Sequence, residues 1–463
     1  MKNYFKNCSL TILIVLIGFV EMSCKTDTET EKPKPNVVFL FADDQRSGTY
    51  NLGGKGNPEV ITPNIDELAK HGSVFHNTYV FGADRSSVCY PSRSMMLSGK
   101  NLFRFKDVDT PSKNMDDFNL PVAMRLAGYQ TLRSGKGNNV PYGINPEFHT
   151  NIEHQNRGSV KGNLEYFNDG MKFIEEWAGK KPFFLYLAVG TPHHPYPADS
   201  QAVALYDYTK ITPPEDALVQ HPVLSKFGGK SAKLKTMDDV KKDLAGYYAS
   251  ITFMDRKLGE LVQLLKDKGV YENTIIMVVG DNGLSIGSHG VFNKSNLMEF
   301  GGMHVSLVMA GPGIKNFESN ALIYLHDIFP TLCDFCDAPK PKTLDGKSFA
   351  PILKGEQTKT RDALLTVFTA GEQRAVRTDK WKLLLFPKLE IYELYDLEND
   401  PRELNNLANK EEYKDQLEEM KLLLEKERKA AGDCYPIKAK LPRTYNKKKP
   451  FDGNVEMLKE LNL

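Results

Sequence analysis

The sequence predicts an α/β fold: a large, mainly parallel mixed sheet flanked by helices, plus a small C-terminal α+β subdomain carrying an antiparallel sheet. Three observations predict it. Residues 36–42, 182–189 and 274–279 are continuous apolar runs, the pattern of strands buried on both faces. Each run ends in chemistry rather than in a plain turn, at Asp43-Asp44-Gln45, Thr191-Pro192-His193 and Asp281-Asn282, and open α/β sheets keep their ligands at that edge. Beyond Leu353, short runs at 364–368, 373–377, 381–385 and 392–396 follow one another closely, as antiparallel strands do.

Taken in order, Lys2 and Lys6 precede an apolar run at 10–20 that is short for a membrane span, so residues 1–23 read as an export signal. Cys24 after Ser23 is placed like the acylated cysteine of a lipoprotein; the alternative is a plain cleaved signal. Residues 24–34, rich in Thr, Glu, Lys and Pro, form a polar tether, and the expected location is the periplasm or cell surface, with a lipid anchor in the membrane. Residues 35–353 form the large domain and 354–463 the C-terminal subdomain. With 60 basic and 59 acidic side chains, net +1, no nucleic-acid surface is expected. Six cysteines make no disulfide framework, and Cys333 and Cys336 read as buried thiols in a helix over 327–334.

The first strand delivers Asp43 and Asp44, adjacent carboxylates that a cation between them makes tolerable. Thr62-Pro63-Asn64-Ile65-Asp66 opens a helix, and a short strand at 129–132 leads to Ser134-Gly135-Lys136-Gly137-Asn138. The next long strand delivers His193 and His194, residues 241–268 are a helix with Tyr247 and Tyr248 on its apolar side, and the run at 274–279 delivers Asp281 and Asn282. Asp43, Asp44, Asp281 and Asn282 give an all-oxygen donor set, the preference of Ca²⁺ or Mg²⁺ over Zn²⁺. The charged stretch 411–429 reads as a solvated packing helix.

The stretch Cys89-Tyr90-Pro91-Ser92-Arg93, continued by Leu97-Ser98-Gly99-Lys100, carries the sharpest signal. Pro91 suits a first helical turn and Gly99 a helix end, so Cys89 falls at the N-terminal, anion-attracting end with Arg93 one turn on. Cys-x-Pro-Ser-Arg followed by Leu-Ser-Gly-Lys resembles the signature of the formylglycine-dependent type I sulfatases of the alkaline-phosphatase-like superfamily. The likeness extends over Asn36 to about Leu407, through Thr62-Pro63-Asn64-Ile65-Asp66, Lys136, His193, Asp281-Asn282-Gly283, His289-Gly290, Lys294, Glu299 and Asp400-Pro401. It departs from the family at Asn138, where a histidine is common, and at Ser306, where proline is usual.

That resemblance implies that a maturation enzyme oxidises Cys89 to formylglycine, whose hydrate has a second hydroxyl able to expel sulfate after attack. It implies calcium, with Mg²⁺ as the other candidate, held by Asp43, Asp44, Asp281, Asn282 and the modified Cys89. It implies Lys136, His193 and Lys294 on the sulfate oxygens, Arg93 steadying the nucleophile, proton delivery by His193 or Lys294, and His289 acting with them or in support. Arg104, His194, Tyr196 and Arg374 lie on segments that the family uses near its pocket mouth and are candidates for contact with a sulfated carbohydrate. The expected activity is sulfate ester hydrolysis on a sulfated polysaccharide or oligosaccharide. The alternatives are a phosphoester or phosphonate hydrolase of the same superfamily, or a catalytically silent sugar-binding lipoprotein.

Overall fold

Among the described residues, nine strands form the main sheet: β1 (Asn36–Ala42), β2 (Ser73–Tyr79), β4 (Gln130–Lys136), β5 (Thr150–His154), β6 (Phe183–Ala188), β7 (Thr274–Gly280), β8 (His304–Ala310), β9 (Phe317–Ser319) and β10 (Ile323–Tyr324), in the order β10-β2-β8-β7-β1-β6-β4-β5 with β9 on β2. This computed structural model describes residues 33–85, 87–105, 117–138, 140–224, 235–369 and 372–435. The export signal, Cys24, residues 25–32 of the tether and Asn139 lie outside the described residues. Among the described residues, no helix is long and apolar enough to cross a membrane.

The sheet is mixed and mostly parallel, as the apolar runs predicted: β8 is antiparallel to β2 and β7, and the other pairings are parallel. The register is tight at the centre, where Val38 faces both Leu185 and Ile276 and Ala42 faces Gly280. Alternation sends Val37, Phe39 and Phe41 to one side and Val38, Leu40 and Ala42 to the other, and all six are fully buried. One side packs on α1 (Pro63–His71), α4 (Val160–Trp177) and α5 (Met237–Asp267) through Ile65, Phe173 and Leu258. The other packs on α2 (Cys89–Ser98), α3 (Leu120–Leu126) and α6 (Ile328–Cys336) through Met96, Met124 and Phe329. Each such side chain contributes about 1.5–3 kcal/mol relative to exposure, so the central strands are the least movable part of the molecule.

The second sheet runs β14 (Ile391–Asp396), β13 (Trp381–Phe386), β12 (Gln373–Arg377), β11 (Leu364–Phe368) and then β3 (Gly82–Ala83). Its four C-terminal strands are antiparallel, whereas β3 joins β11 in parallel from the N-terminal part of the chain. Gly82 has φ 152°, and a Cβ there would lie 2.0 Å from the Val367 carbonyl oxygen, so the junction requires glycine. Leu383, Leu385 and the terminal helix α7 (Lys414–Ala431) share the core on the α2 side. The expected border at residue 353 is therefore crossed by a strand and by a core.

Several local expectations shift. The strand expected at 129–132 runs on to Lys136, so the lysine ends the strand itself. Helix α4, strand β5 and the antiparallel β8 are additions the sequence pattern did not signal. The helix expected over 411–429 opens with a 3-10 turn at Glu411–Tyr413 and continues as an α-helix over Lys414–Ala431.

Candidate active site

Parallel strands bring their C-terminal ends to one edge. The Asp281 N–H donates to the Ala42 carbonyl (2.8 Å) and the Asp43 N–H to that of Thr191 (2.9 Å), so the loops after β1, β6 and β7 are stitched side by side. Helix α2 points its N-terminus at this edge: it starts at Cys89 and stops at Gly99, which adopts φ 68° and donates to the Met95 carbonyl. Cys89 is 1% exposed.

Asp43, Asp44, Cys89 and Asp281 each offer a ligand atom, and these lie within 4.8 Å of one another. The Cys89 thiol donates to Asp43 Oδ1 (3.0 Å), and the Asp44 N–H donates to Asp281 Oδ1 (3.0 Å). Asn282 donates through Nδ2 to Asp44 Oδ1 (2.8 Å), while its Oδ1 is buried without a hydrogen-bond partner among the described residues. Asp44 is held at φ 67°, unfavourable for a residue with a Cβ, and the Tyr247 hydroxyl fixes it by donating to its carbonyl (2.6 Å) and accepting from the Arg46 N–H (2.9 Å). Tyr247, placed by the sequence pattern on the apolar side of a helix, thus holds the shape of the site.

Lys136, Arg93 and Lys294 face the three carboxylates. Lys136 Nζ lies 2.8 Å from Asp43 Oδ2, Arg93 Nε lies 2.8 Å from Asp281 Oδ2, and Lys294 bonds Asp44 Oδ1 while standing 2.7 Å from Cys89 Sγ. His193 Nε2 is 3.6 Å from Asp44 Oδ2, and its Nδ1–H donates to the His194 carbonyl (2.7 Å). Burial alone would raise Asp43, but Lys136, His193, Arg93 and Lys294 together hold it well below the usual carboxylate range. Burial, with Asp281 and Asp43 beside it, pushes the Cys89 thiol well up, which disfavours the thiolate and leaves the unmodified sulfur a poor nucleophile. Lys294 is raised despite its burial because the Asp44 carboxylate stabilises its charge.

Three buried carboxylates and an orphaned amide oxygen form an all-oxygen donor set suited to a hard divalent cation, so the residues fit such an ion.

The structure thus brings together Asp43, Asp44, Cys89, Arg93, Lys136, His193, Asp281, Asn282 and Lys294. His194 is exposed beside them, its ring edge-on to Tyr196 at 5.2 Å. Tyr196 is largely buried against Tyr247, so it presents little surface to a ligand.

Three expectations are corrected. His289 is buried and donates through Nε2 to the Arg402 carbonyl (2.9 Å), near Asp216, which turns it toward the C-terminal segment; burial lowers it to about 4. Arg374 is no pocket residue: it is 1% exposed, with Nε 2.6 Å from Asp433 Oδ2. Arg104 pairs with Asp345 (2.7 Å) past the C-terminal end of α2, a helix length from Cys89. Asn138 is exposed. Two features had no sequence signal. Arg157 reaches within 3.6 Å of Asp43 Oδ2, and a cavity of about 340 Å³ lined by Arg46, Tyr248, Phe300 and Arg402 opens two residues beyond Asp44.

Comparison with known proteins places these features in context. Residues 35–338 match the family described as Sulfatase, and residues 287–430 match the C-terminal region of N-sulphoglucosamine sulphohydrolase. The chain is 26% identical to an arylsulfatase of Clostridium perfringens over 89% of this chain and 98% of that protein. It is 26% identical to an ulvan-active sulfatase of Formosa agariphila (87% and 84%) and 23% identical to an N-acetylglucosamine-6-O-sulfatase of Bacteroides thetaiotaomicron (92% and 92%). Among solved structures, one in complex with its substrate D-glucosamine-2-N,6-O-disulfate superposes with a TM-score of 0.71 at 23% identity, covering 88% of this chain and 100% of that one. The phosphonate monoester hydrolase of Agrobacterium radiobacter gives 0.73 at 21% identity, covering 86% and 96%.

Proposed function

The chain belongs to the sulfatase family and is a sulfuric ester hydrolase, and we propose that it acts on a sulfated carbohydrate with a formylglycine made from Cys89 and a bound divalent cation. The observation that carries this reading is the convergence of Asp43, Asp44 and Asp281 on the Cys89 end of α2, with Lys136, Lys294 and His193 around them.

Asp43, Asp44, Asp281 and Asn282 would hold the cation, calcium being the expectation with Mg²⁺ as the other candidate, and it would supply Lewis-acid neutralisation of sulfate charge. The hydrated formylglycine supplies one hydroxyl for attack on sulfur and a second whose deprotonation expels sulfate. Arg93, fixed on Asp281, orients residue 89. Lys136 and Lys294 meet the charge of the sulfate oxygens with preorganised donors. The proton for the leaving oxygen comes from His193: its Nδ1 is committed to the His194 carbonyl, which leaves Nε2 facing the site.

A sulfated sugar is favoured over a small aryl ester by the sugar sulfatases among the relatives and by the polar surroundings, His194 and the cavity beside Arg46 and Arg402. Export and lipid anchoring through Cys24 complete the proposal; Cys24→Ala protein should then leave the membrane fraction. The test of function is release of sulfate against phosphate from matched sugar and aryl esters. Sulfate release, greatest on the sugar, is expected; preferential phosphate or phosphonate cleavage would move the chain to the phosphonate hydrolase reading.

A further inference from the structure

We propose that Arg157 binds an oxygen of the substrate's sulfate group; this rests on the sulfatase reading above. Arg157 lies in the short segment between β5 and α4. Its Nη1 stands 3.6 Å from Asp43 Oδ2, the same oxygen that Lys136 Nζ approaches to 2.8 Å. That distance is too long for a hydrogen bond, and Nη1 is buried with no acceptor among the described residues. Lys136 already compensates Asp43 at closer range, so Arg157 Nη1, beside that carboxylate, keeps its hydrogen-bonding capacity unused among the described residues. The side chain is 26% exposed against 1% for Lys136, so Arg157 enters from the solvent side, where substrate arrives.

The position is built rather than incidental. Buried Asn163 donates through Nδ2 to the Arg157 carbonyl (2.7 Å) and accepts at Oδ1 from the Gly190 N–H (3.0 Å), which clips the segment to the end of β6 next to the His193 loop. A Cβ on Gly190 would lie 2.8 Å from the Arg157 carbonyl oxygen, so the two backbones pack in contact. A planar guanidinium held in this way matches the tetrahedral face of a sulfate better than a point charge does. Reacting anion, Lys136 and Arg157 then share one corner of the pocket.

The test is Arg157→Gln and Arg157→Lys in the full chain, read by sodium sulfate binding in calorimetry and by kcat/KM on an aryl sulfate and a sulfated oligosaccharide. Sulfate binding and kcat/KM on both substrates should weaken roughly 10- to 100-fold in Arg157→Gln, with partial recovery in Arg157→Lys. Unchanged sulfate binding with a lowered melting temperature would reduce Arg157 to a structural partner of Asp43 and overturn the proposal. A loss confined to the oligosaccharide would also overturn it, by assigning Arg157 to the sugar. Should the wild-type chain cleave no sulfate ester, the function fails while the calorimetric arm still decides the anion contact.

Discussion

Arg93 Nε lies 2.8 Å from Asp281 Oδ2 with the two side chains 1% and 0% exposed, so a buried charged hydrogen bond ties the helix that carries Cys89 to the strand end that carries the cation donors. Two further nitrogens of Arg93 have no hydrogen-bond partner among the described residues, and its guanidinium sits 5.3 Å over the Phe41 ring. The pair is costly to break, because the partner left behind keeps its burial cost and loses its hydrogen-bonded counter-charge; for Arg93, Asp43 Oδ1 at 3.9 Å from Nη2 offsets that only in part.

Asp281→Ala should therefore lose both function and stability. Removing one partner of a buried pair costs about 3–5 kcal/mol, and loss of a carboxylate weakens cation binding as well. Calorimetric unfolding with metal analysis should show a lower melting temperature, reduced bound cation and no measurable turnover. Normal activity with unchanged metal content would exclude the site.

Residue 89 should carry an aldehyde in active protein. Burial and the neighbouring carboxylates disfavour a thiolate, so an unmodified thiol is a weak nucleophile. Peptide mass of active enzyme should show the oxidised side chain, and Cys89→Ala should reduce turnover by several orders of magnitude, roughly the loss seen when a covalent nucleophile is removed. Full activity with an intact thiol would refute the mechanism.

Arg374→Ala should act on stability and spare substrate affinity. Arg374 and Arg428 both bind Asp433, joining β12 to the end of α7. Loss of Arg374 leaves one arginine on that carboxylate, and a cost of about 3 kcal/mol is expected. KM for a sulfated glycan should stay within about twofold at a temperature where the variant is folded; a large rise in KM with no change in melting temperature would restore Arg374 to the pocket.

His326 should contribute to acid lability. It is buried, stacks on Tyr324 at 4.8 Å, and burial lowers it to about 4. Between about pH 6.5 and 4 the unfolded chain binds a proton that the folded chain refuses, so stability is present above 6.5 and falls as pH drops through this window. The full effect is on the order of 3 kcal/mol. Thermal unfolding across that range should show a shallower acid slope for His326→Phe than for wild type; identical slopes would assign the lability elsewhere.

The chain's local pattern determined much of this. Fully buried parallel strands leave unbroken apolar runs, and such runs in α/β proteins end at a ligand edge, so Asp43, Asp44, His193, Asp281 and Asn282 were legible from their place after 36–42, 182–189 and 274–279. Cys89 and Arg93 were legible because helix start signals and a four-residue spacing are themselves local. What the pattern did not carry is where a side chain ends up when its partner is distant. Arg374 and Asp433 are 59 residues apart, and Arg157 and Asp43 meet only because Asn163 clips a loop to the end of β6. An arginine in a strand or loop looks the same in sequence whether it lines a pocket or neutralises a buried acid. Tertiary packing decides between them, because burial of a guanidinium is tolerable only where the fold supplies a carboxylate.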